Sequence, residues 1–184
     1  GEFGHMTIVP DGPLCGCGNR GCLQELVSEK AIANAARRRL RAGSGGVLAD
    51  IAGLHPERLQ AVDVLRAAEE GDETARAVVA ETASYLAVGI GNIINLFNPE
   101  LIVLGGPVAK ASPLLVDDAR REVALRALAY PLSAVEIVPS SLGIDAGAIG
   151  ASVMVLKQAA HLLFDGTLRG NRQAHPAGGP IPTP

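Results

Sequence analysis

The sequence has no excess of positive charge: 16 Lys and Arg stand against 19 Asp and Glu in 184 residues, a formal net charge of −3. No general cationic field is therefore available to hold nucleic acid phosphates, and DNA contact would need a segment other than these residues. Long apolar stretches are also missing. The run around Leu101–Leu104 with its neighbours falls well short of the roughly 20 residues that a membrane-spanning helix requires. The N-terminus lacks the basic start and apolar middle of a signal peptide. The expectation is a cytoplasmic chain without membrane contact. Cysteine is scarce, with only Cys15, Cys17 and Cys22, all inside eight residues. An odd, tightly clustered set fits a metal site better than a disulfide framework, particularly with no export signal.

What is present is an ordinary globular composition, 48% hydrophobic and 19% charged, enough for one core or for a large part of a two-lobed protein. Residues 1–21, rich in Gly, Pro and Cys, read as loop. Leu23 to about Arg41 carries apolar residues at helical spacing and stops at Gly43-Ser44-Gly45-Gly46. The arginine run within it, residues 37–41, reads as solvated cations complementing the negative end of the helix dipole. A short helix is expected near Ala61–Glu70, closed by Gly71. Asp72 then makes an N-cap for a long helix to about Phe97, whose apolar face takes in Val78, Val79, Ala83, Leu86, Ala87, Ile90, Ile94 and Leu96. Gly89 and Gly91 would weaken a free helix by roughly 1 kcal/mol each, which predicts something packed closely against them.

Asn98-Pro99 ends that helix, and ELIVLGG, residues 100–106, reads as a strand buried on both faces. A helix over Pro113–Leu128, a strand over Val135–Val138 and a small-residue loop leading into a helix to about Phe164 follow. Strands separated by helices point to α/β layering in a helix-rich domain over residues 1–164. From Asp165 the composition shifts to Gly, Pro, Asn and His, so residues 165–184 are expected to form a disordered tail.

The chemistry concentrates at the N-terminus. Cys15-x-Cys17-x4-Cys22 brings three thiols to one loop, with glycines at 16, 18 and 21 that let the backbone fold back on itself. Zinc takes four ligands in a tetrahedron, and Cys3His is a standard structural set. His5, ten residues before Cys15, is the nearest fourth ligand; His55 precedes Pro56 in a loop, His161 lies in the last helix and His175 in the tail. The residues alone leave an alternative open. Glu-Phe and His-Met are dipeptides that cloning sites commonly leave behind, so Gly1–Met6 can be read as a remnant and the thiols as incidental.

Glu2-x-Gly4-His5 followed by Cys15-x-Cys17-Gly18-x-x-Gly21-Cys22 resembles the signature of the ROK family of bacterial repressors, uncharacterised reading frames and sugar kinases, with the ten-residue interval from His5 to Cys15 intact. The resemblance implies that residues 1–5 are native, that His5, Cys15, Cys17 and Cys22 bind one structural zinc ion, and that Glu2 and His5 face a bound sugar. Zinc would hold the loop rigid without doing chemistry. The family usually has Glu two residues after the last cysteine. Here that position is Gln24, a third expected sugar contact, which keeps an acceptor, loses the charge and adds donors.

Two further stretches resemble the family. LFNPELIVLGGPV, residues 96–108, is similar to the segment whose strand ends near the adenosine of ATP in the kinases, making Gly105 and Gly106 candidates for nucleotide contact, although Pro107 departs from the usual small residue. SSLGIDAGAIGAS, residues 140–152, is similar to the closing loop and final helix. The implied fold is the C-terminal lobe of an actin-like ATPase (ribonuclease H-like) fold, in a homodimer. The family's sugar kinases need two glycine-rich phosphate loops and an aspartate that takes a proton from the sugar. Neither loop is found, and Asp11, Asp50, Asp63 and Asp145 stand outside the catalytic context, so no catalytic residue is assigned.

The expectation is a C-terminal piece of a longer protein. It would be the sugar-binding and dimerising portion of a transcriptional regulator, reaching operator DNA only through a missing N-terminal domain. The alternative is the equivalent piece of an ATP-dependent, glucokinase-like sugar kinase. A zinc-stabilised module without a present ligand is the remaining reading.

Overall fold

The computed structural model describes residues 2–106, 108 and 112–170, with side chains, that of residue 144 apart, as far as His161. The chain divides into two units, Gly1–Gly143 and Ile144–Pro184.

In the first unit the helical run from Leu23 is two helices, α1 (Gln24–Val27) and α2 (Glu29–Arg41). Ser28 between them is extended, with φ −67° and ψ 161°, and its Oγ accepts from the backbone N–H of Ala31 at 3.3 Å. Serine competes for backbone donors and favours a cap over a helix interior, so the local hydrogen bond wins over the continuous apolar pattern. A short α3 (Val47–Ala52), unforeseen, precedes α4 (Ala61–Glu69) and the 25-residue α5 (Glu73–Phe97).

Asp72 is the predicted cap of α5, and it does more than cap that helix. Its Oδ1 accepts from Ala75 N at 2.7 Å, while Oδ2 takes the backbone N–H of Leu48, in the first turn of α3, at 3.0 Å. One carboxylate, 6% exposed, thus satisfies otherwise unpaired donors of two helices.

The larger core lies among α2 to α5, with Leu115 and Ala119 of α6 (Pro113–Ala124) joining Ile32, Ala36, Leu48, Val64, Leu65, Val78 and Val79. A second core joins Ala87, Ile90 and Ile94 of α5 to Val123 of α6 and to Ile137 in the strand Glu136–Pro139. Strands β1 (Leu101–Leu104) and β2 (Glu136–Pro139) pair in parallel, Leu101 beside Glu136 and Leu104 beside Pro139, and are joined through α6 and α7 (Ala129–Ala134). A parallel pair needs such a crossover.

Burial of β1 on both faces is not observed. Ile102 and Leu104 pack on the second core, whereas Leu101 and Val103 are 52% and 53% exposed. Leu96, expected on the apolar face of α5, is exposed as well. It follows Ile94 by two positions, or about 200° around the helix, and so points away from the core.

By length and composition α5 could cross a membrane, but half of its apolar window is buried, with Val78, Val79, Ala83 and Ala87 fully enclosed as in the core helix of a globular unit. The arginine run is not simply solvated. Arg37 donates to the carbonyls of Pro56, Glu57 and Leu59 at 3.0, 2.8 and 2.7 Å, tying α2 to the loop before α4, and Arg39 pairs with Glu81 of α5 at 2.8 Å. Carbonyls at a loop need donors, and a guanidinium carries enough of them to serve three.

The second unit contains α8 (Ala146–Gly170), which runs past the expected end at Phe164. Residues 165–170 of the expected tail lie in this helix, and residues 171–184 fall outside the described residues.

Candidate functional site

The N-terminal segment folds back on itself through backbone hydrogen bonds. Ile8 and Val9 donate to Gly21 O at 2.8 and 3.3 Å, Gly21 donates to Pro13 O at 2.8 Å, and Leu23 donates to Met6 O at 2.9 Å. Isolated bridges pair Thr7 with Cys22 and Leu14 with Arg20. Within the inner turn Cys15 N donates to Asn19 O at 2.7 Å and Gly18 N to Cys15 O at 2.9 Å. Gly21 is required where it stands. Its φ is +64°, and a Cβ there would fall 1.5 Å from Val9 O. This reversal carries position 22 back to position 5.

A single 3-10 turn, Phe3–His5, holds the histidine. It rests on α5 at Gly89, where a Cβ would come within 2.9 Å of both Phe3 Cζ and Leu23 Cδ2. The close packing expected at Gly89 is therefore present, and it comes from the residues that flank the cysteine loop. A Cβ at Gly91 would meet Arg126 Cβ at an ordinary 3.5 Å. Asn92, one turn on from Gly89, donates from Nδ2 to Met6 Sδ at 3.3 Å.

The ligand atoms of His5, Cys15, Cys17 and Cys22 all lie within 4.8 Å of one another. Cys17 Sγ and Cys22 Sγ are 3.7 Å apart, and Cys15 Sγ and His5 Nδ1 are 3.6 Å apart. Zinc–sulfur bonds of about 2.3 Å and zinc–nitrogen bonds of about 2.0–2.1 Å give a tetrahedron with edges of about 3.8 Å between sulfurs and about 3.6 Å from sulfur to nitrogen. The four side chains fit such an ion. None of the cysteines is in a disulfide; Cys15 and Cys22 are buried and Cys17 is exposed.

Burial pushes the Cys22 thiol up from 9.0 to about 12, with Cys17 and Cys15 adding to the rise. Cys17 is held below its ordinary value, chiefly by a backbone hydrogen bond at Asn19. One thiol is thus shifted toward the thiolate and another away from it, and a divalent cation among them would favour the ionised form of all three.

Gln24, the first residue of α1, lies against this cluster. Its Nε2 donates to Cys15 Sγ at 3.3 Å and reaches Glu25 Oε1 at 3.4 Å. Its side chain also borders Gly4, where a Cβ would sit 3.5 Å from Gln24 Oε1. Glu2 stands exposed at the start of the histidine turn and accepts His5 N on its carbonyl at 3.1 Å. Gly105 and Gly106 are not among the residues that gather at this cluster; they follow β1, with Gly106 at φ +95° and, among the described residues, nothing within 4 Å of a Cβ at either. The sequence reading missed the seat of the loop on α5. Phe3 and Met6 on either side of His5, with Gly89 and Asn92 a turn apart, are the residues that could have signalled it.

A profile of the ROK family matches residues 1–158. The chain is 32% identical to the glucokinase of Thermotoga maritima, over 84% of this chain and 48% of that protein. It is also 32% identical to the xylose repressor of Bacillus subtilis, over 85% of this chain and 36% of that one. Among solved structures, a ROK family glucokinase from Streptomyces griseus in complex with glucose and AMPPNP superposes with a TM-score of 0.75 at 30% identity, covering 83% of this chain and 50% of that one. The chain thus spans about half the length, or less, of the relatives it matches. The fold is the expected actin-like ATPase lobe, helix-rich α/β.

Proposed function

The chain belongs to the ROK family, and we propose that it is the sugar-binding and dimerising portion of a transcriptional regulator in that family. The observation that carries the sugar site is the placement of His5, which turns Nδ1 to Cys15 Sγ within the cluster at 3.6 Å. With Nδ1 given to an ion, the imidazole proton resides on Nε2, which becomes a fixed donor for a sugar hydroxyl. Glu2 accepts from neighbouring hydroxyls, and Gln24 offers its Oε1. The metal is zinc, held by His5, Cys15, Cys17 and Cys22, and it serves as a structural cross-link between the turn and the loop. The proposed lobe takes in residues 1–164, and α8 continues past that bound to Gly170.

The regulator reading is supported by Gln24 in place of a glutamate, by Pro107 after the glycine pair, and by the length of α8. Exposed Phe97, Leu125, Leu128 and Tyr130 offer apolar surface for a second copy. Operator DNA is reached only through an N-terminal domain outside this chain, and the protein works in the cytoplasm. The second reading, part of an ATP-dependent sugar kinase, is favoured by glucokinase relatives as similar as the repressors; Gly105 and Gly106 would then border the nucleotide.

Calorimetric titration with glucose and with xylose tests the site. One of these, or a close stereoisomer, binds, and Glu2→Gln weakens it; absence of binding by the protein with its upstream region restored would refute the sensor. That upstream sequence separates the readings, since a helix-turn-helix marks the regulator and a glycine-rich phosphate loop with a later aspartate the kinase. Bound zinc is expected at one ion per chain, and a metal content unchanged by His5→Ala would refute the four-ligand assignment.

A further inference from the structure

Gln24 occupies a position where a glutamate was expected, and its amide makes a contact that an ionised carboxylate cannot make. Nε2 points at Cys15 Sγ at 3.3 Å, and the same sulfur faces His5 Nδ1 at 3.6 Å. Cys15 is 3% exposed, so solvent offers that sulfur little competing hydrogen bonding. The neighbouring carboxylate fixes which way the amide faces. Glu25 Oε1, 3.4 Å from Nε2, is acceptor-only when ionised and favours the NH2 group over the carbonyl on that side. One amide nitrogen therefore has acceptors for both of its hydrogens, a sulfur and a carboxylate.

The charge balance of the cluster gives this contact a purpose. Three thiolates and a neutral imidazole around a divalent ion leave one net negative charge on a cluster in which the Cys15 and Cys22 side chains are buried, and an N–H donor to a thiolate disperses it. A glutamate at position 24 would set a second negative charge beside the first.

We propose that Gln24 is a positioning residue of the metal centre, donating an amide hydrogen bond from Nε2 to the Cys15 thiolate. This rests on the zinc reading above. Its carbonyl oxygen stays available to a sugar hydroxyl, so one side chain joins the two halves of the site.

The test compares the wild-type chain with Gln24→Met, nearly the same size without a donor, and Gln24→Glu. Zinc affinity is measured by competition with a chromophoric chelator, and the cobalt(II)-loaded proteins are examined by absorption spectroscopy. Loss of such an outer contact typically costs about 10–100-fold in metal affinity, and about tenfold or more is expected for both variants. The thiolate-to-cobalt charge-transfer band decides the matter. A sulfur relieved of its hydrogen bond is richer in electrons, so the band moves to lower energy in both variants if the amide donates to it. A band that stays put overturns the proposal, whatever the affinity does, because loosened packing alone would not move sulfur electron energies in that direction. A wild-type chain that binds neither ion refutes the metal reading, and with it this one, before any substitution is made.

Discussion

Replacing Asp72 should unsettle two helices at once. The carboxylate caps α5 through Ala75 N and supplies the acceptor for Leu48 N in α3. Loss of an N-cap acceptor costs about 1 kcal/mol. Leu48 is 0% exposed, so its amide would be left buried without a partner, at a cost of about 1–3 kcal/mol. Asp72→Ala is therefore expected to destabilise the protein by about 2–4 kcal/mol. A loss of 3 kcal/mol in a chain of this size lowers the melting temperature by about 6–12 °C.

Asp72→Asn separates the two roles, because an amide retains one accepting oxygen and should lose about half as much. Urea unfolding gives the free energies, and amide hydrogen exchange shows where they arise, with faster exchange at both Leu48 and Ala75 in the alanine variant. A loss below about 0.5 kcal/mol, or unchanged protection at Leu48, would refute the bridging role.

Other substitutions probe the loop. Gly21→Ala forces a Cβ onto Val9 O and is expected to abolish stoichiometric zinc binding while α5 stays folded, as read by metal analysis and circular dichroism; retained zinc would show that the loop can reroute. Gly89→Ala pushes Phe3 and Leu23 aside, since both ring tip and methyl would lie at 2.9 Å. The gain of about 0.5–1 kcal/mol in helix propensity should largely offset the strain in stability, but zinc dissociation should quicken as the His5 turn shifts. Equal dissociation rates would mean that α5 does not position the turn. For the metal-free protein, the raised Cys22 value means that the folded state holds a proton which the unfolded chain releases. That contribution is complete below 9.0 and is lost as the pH rises toward about 12. Denaturation of chelated protein across this range should show falling stability, and Cys22→Ser should flatten the slope.

The long helix was legible from Asp72 to Phe97 because capping chemistry, a sustained 3.6-residue pattern and the Asn98-Pro99 stop all agree. The break at Ser28 was hidden, because apolar spacing continues on both sides while a single hydroxyl decides the geometry. Exposure of Leu101 and Val103 could not be read from an all-apolar run, since composition does not say how many layers cover a strand. The four ligand candidates were legible from type and spacing, yet neither the 3.3 Å contact of Gln24 with Cys15 nor the seat of Phe3 on Gly89 leaves a local pattern. Both are long-range packing facts. Arg37 shows the reverse case, in which a charge run with an ordinary surface explanation hides a clamp on three carbonyls.

The backbone bonds that shape the cysteine loop, from Ile8 and Val9 to Gly21 and from Leu23 to Met6, run between peptide groups alone. Ordering of the loop is thus compensated when the chain folds, and its entropy need not be met when an ion arrives. Zinc would enter a cup already cast. Small zinc fingers instead have their folding and loading fused into one event. In this loop the peptide hydrogen bonds would let the two proceed as separate steps.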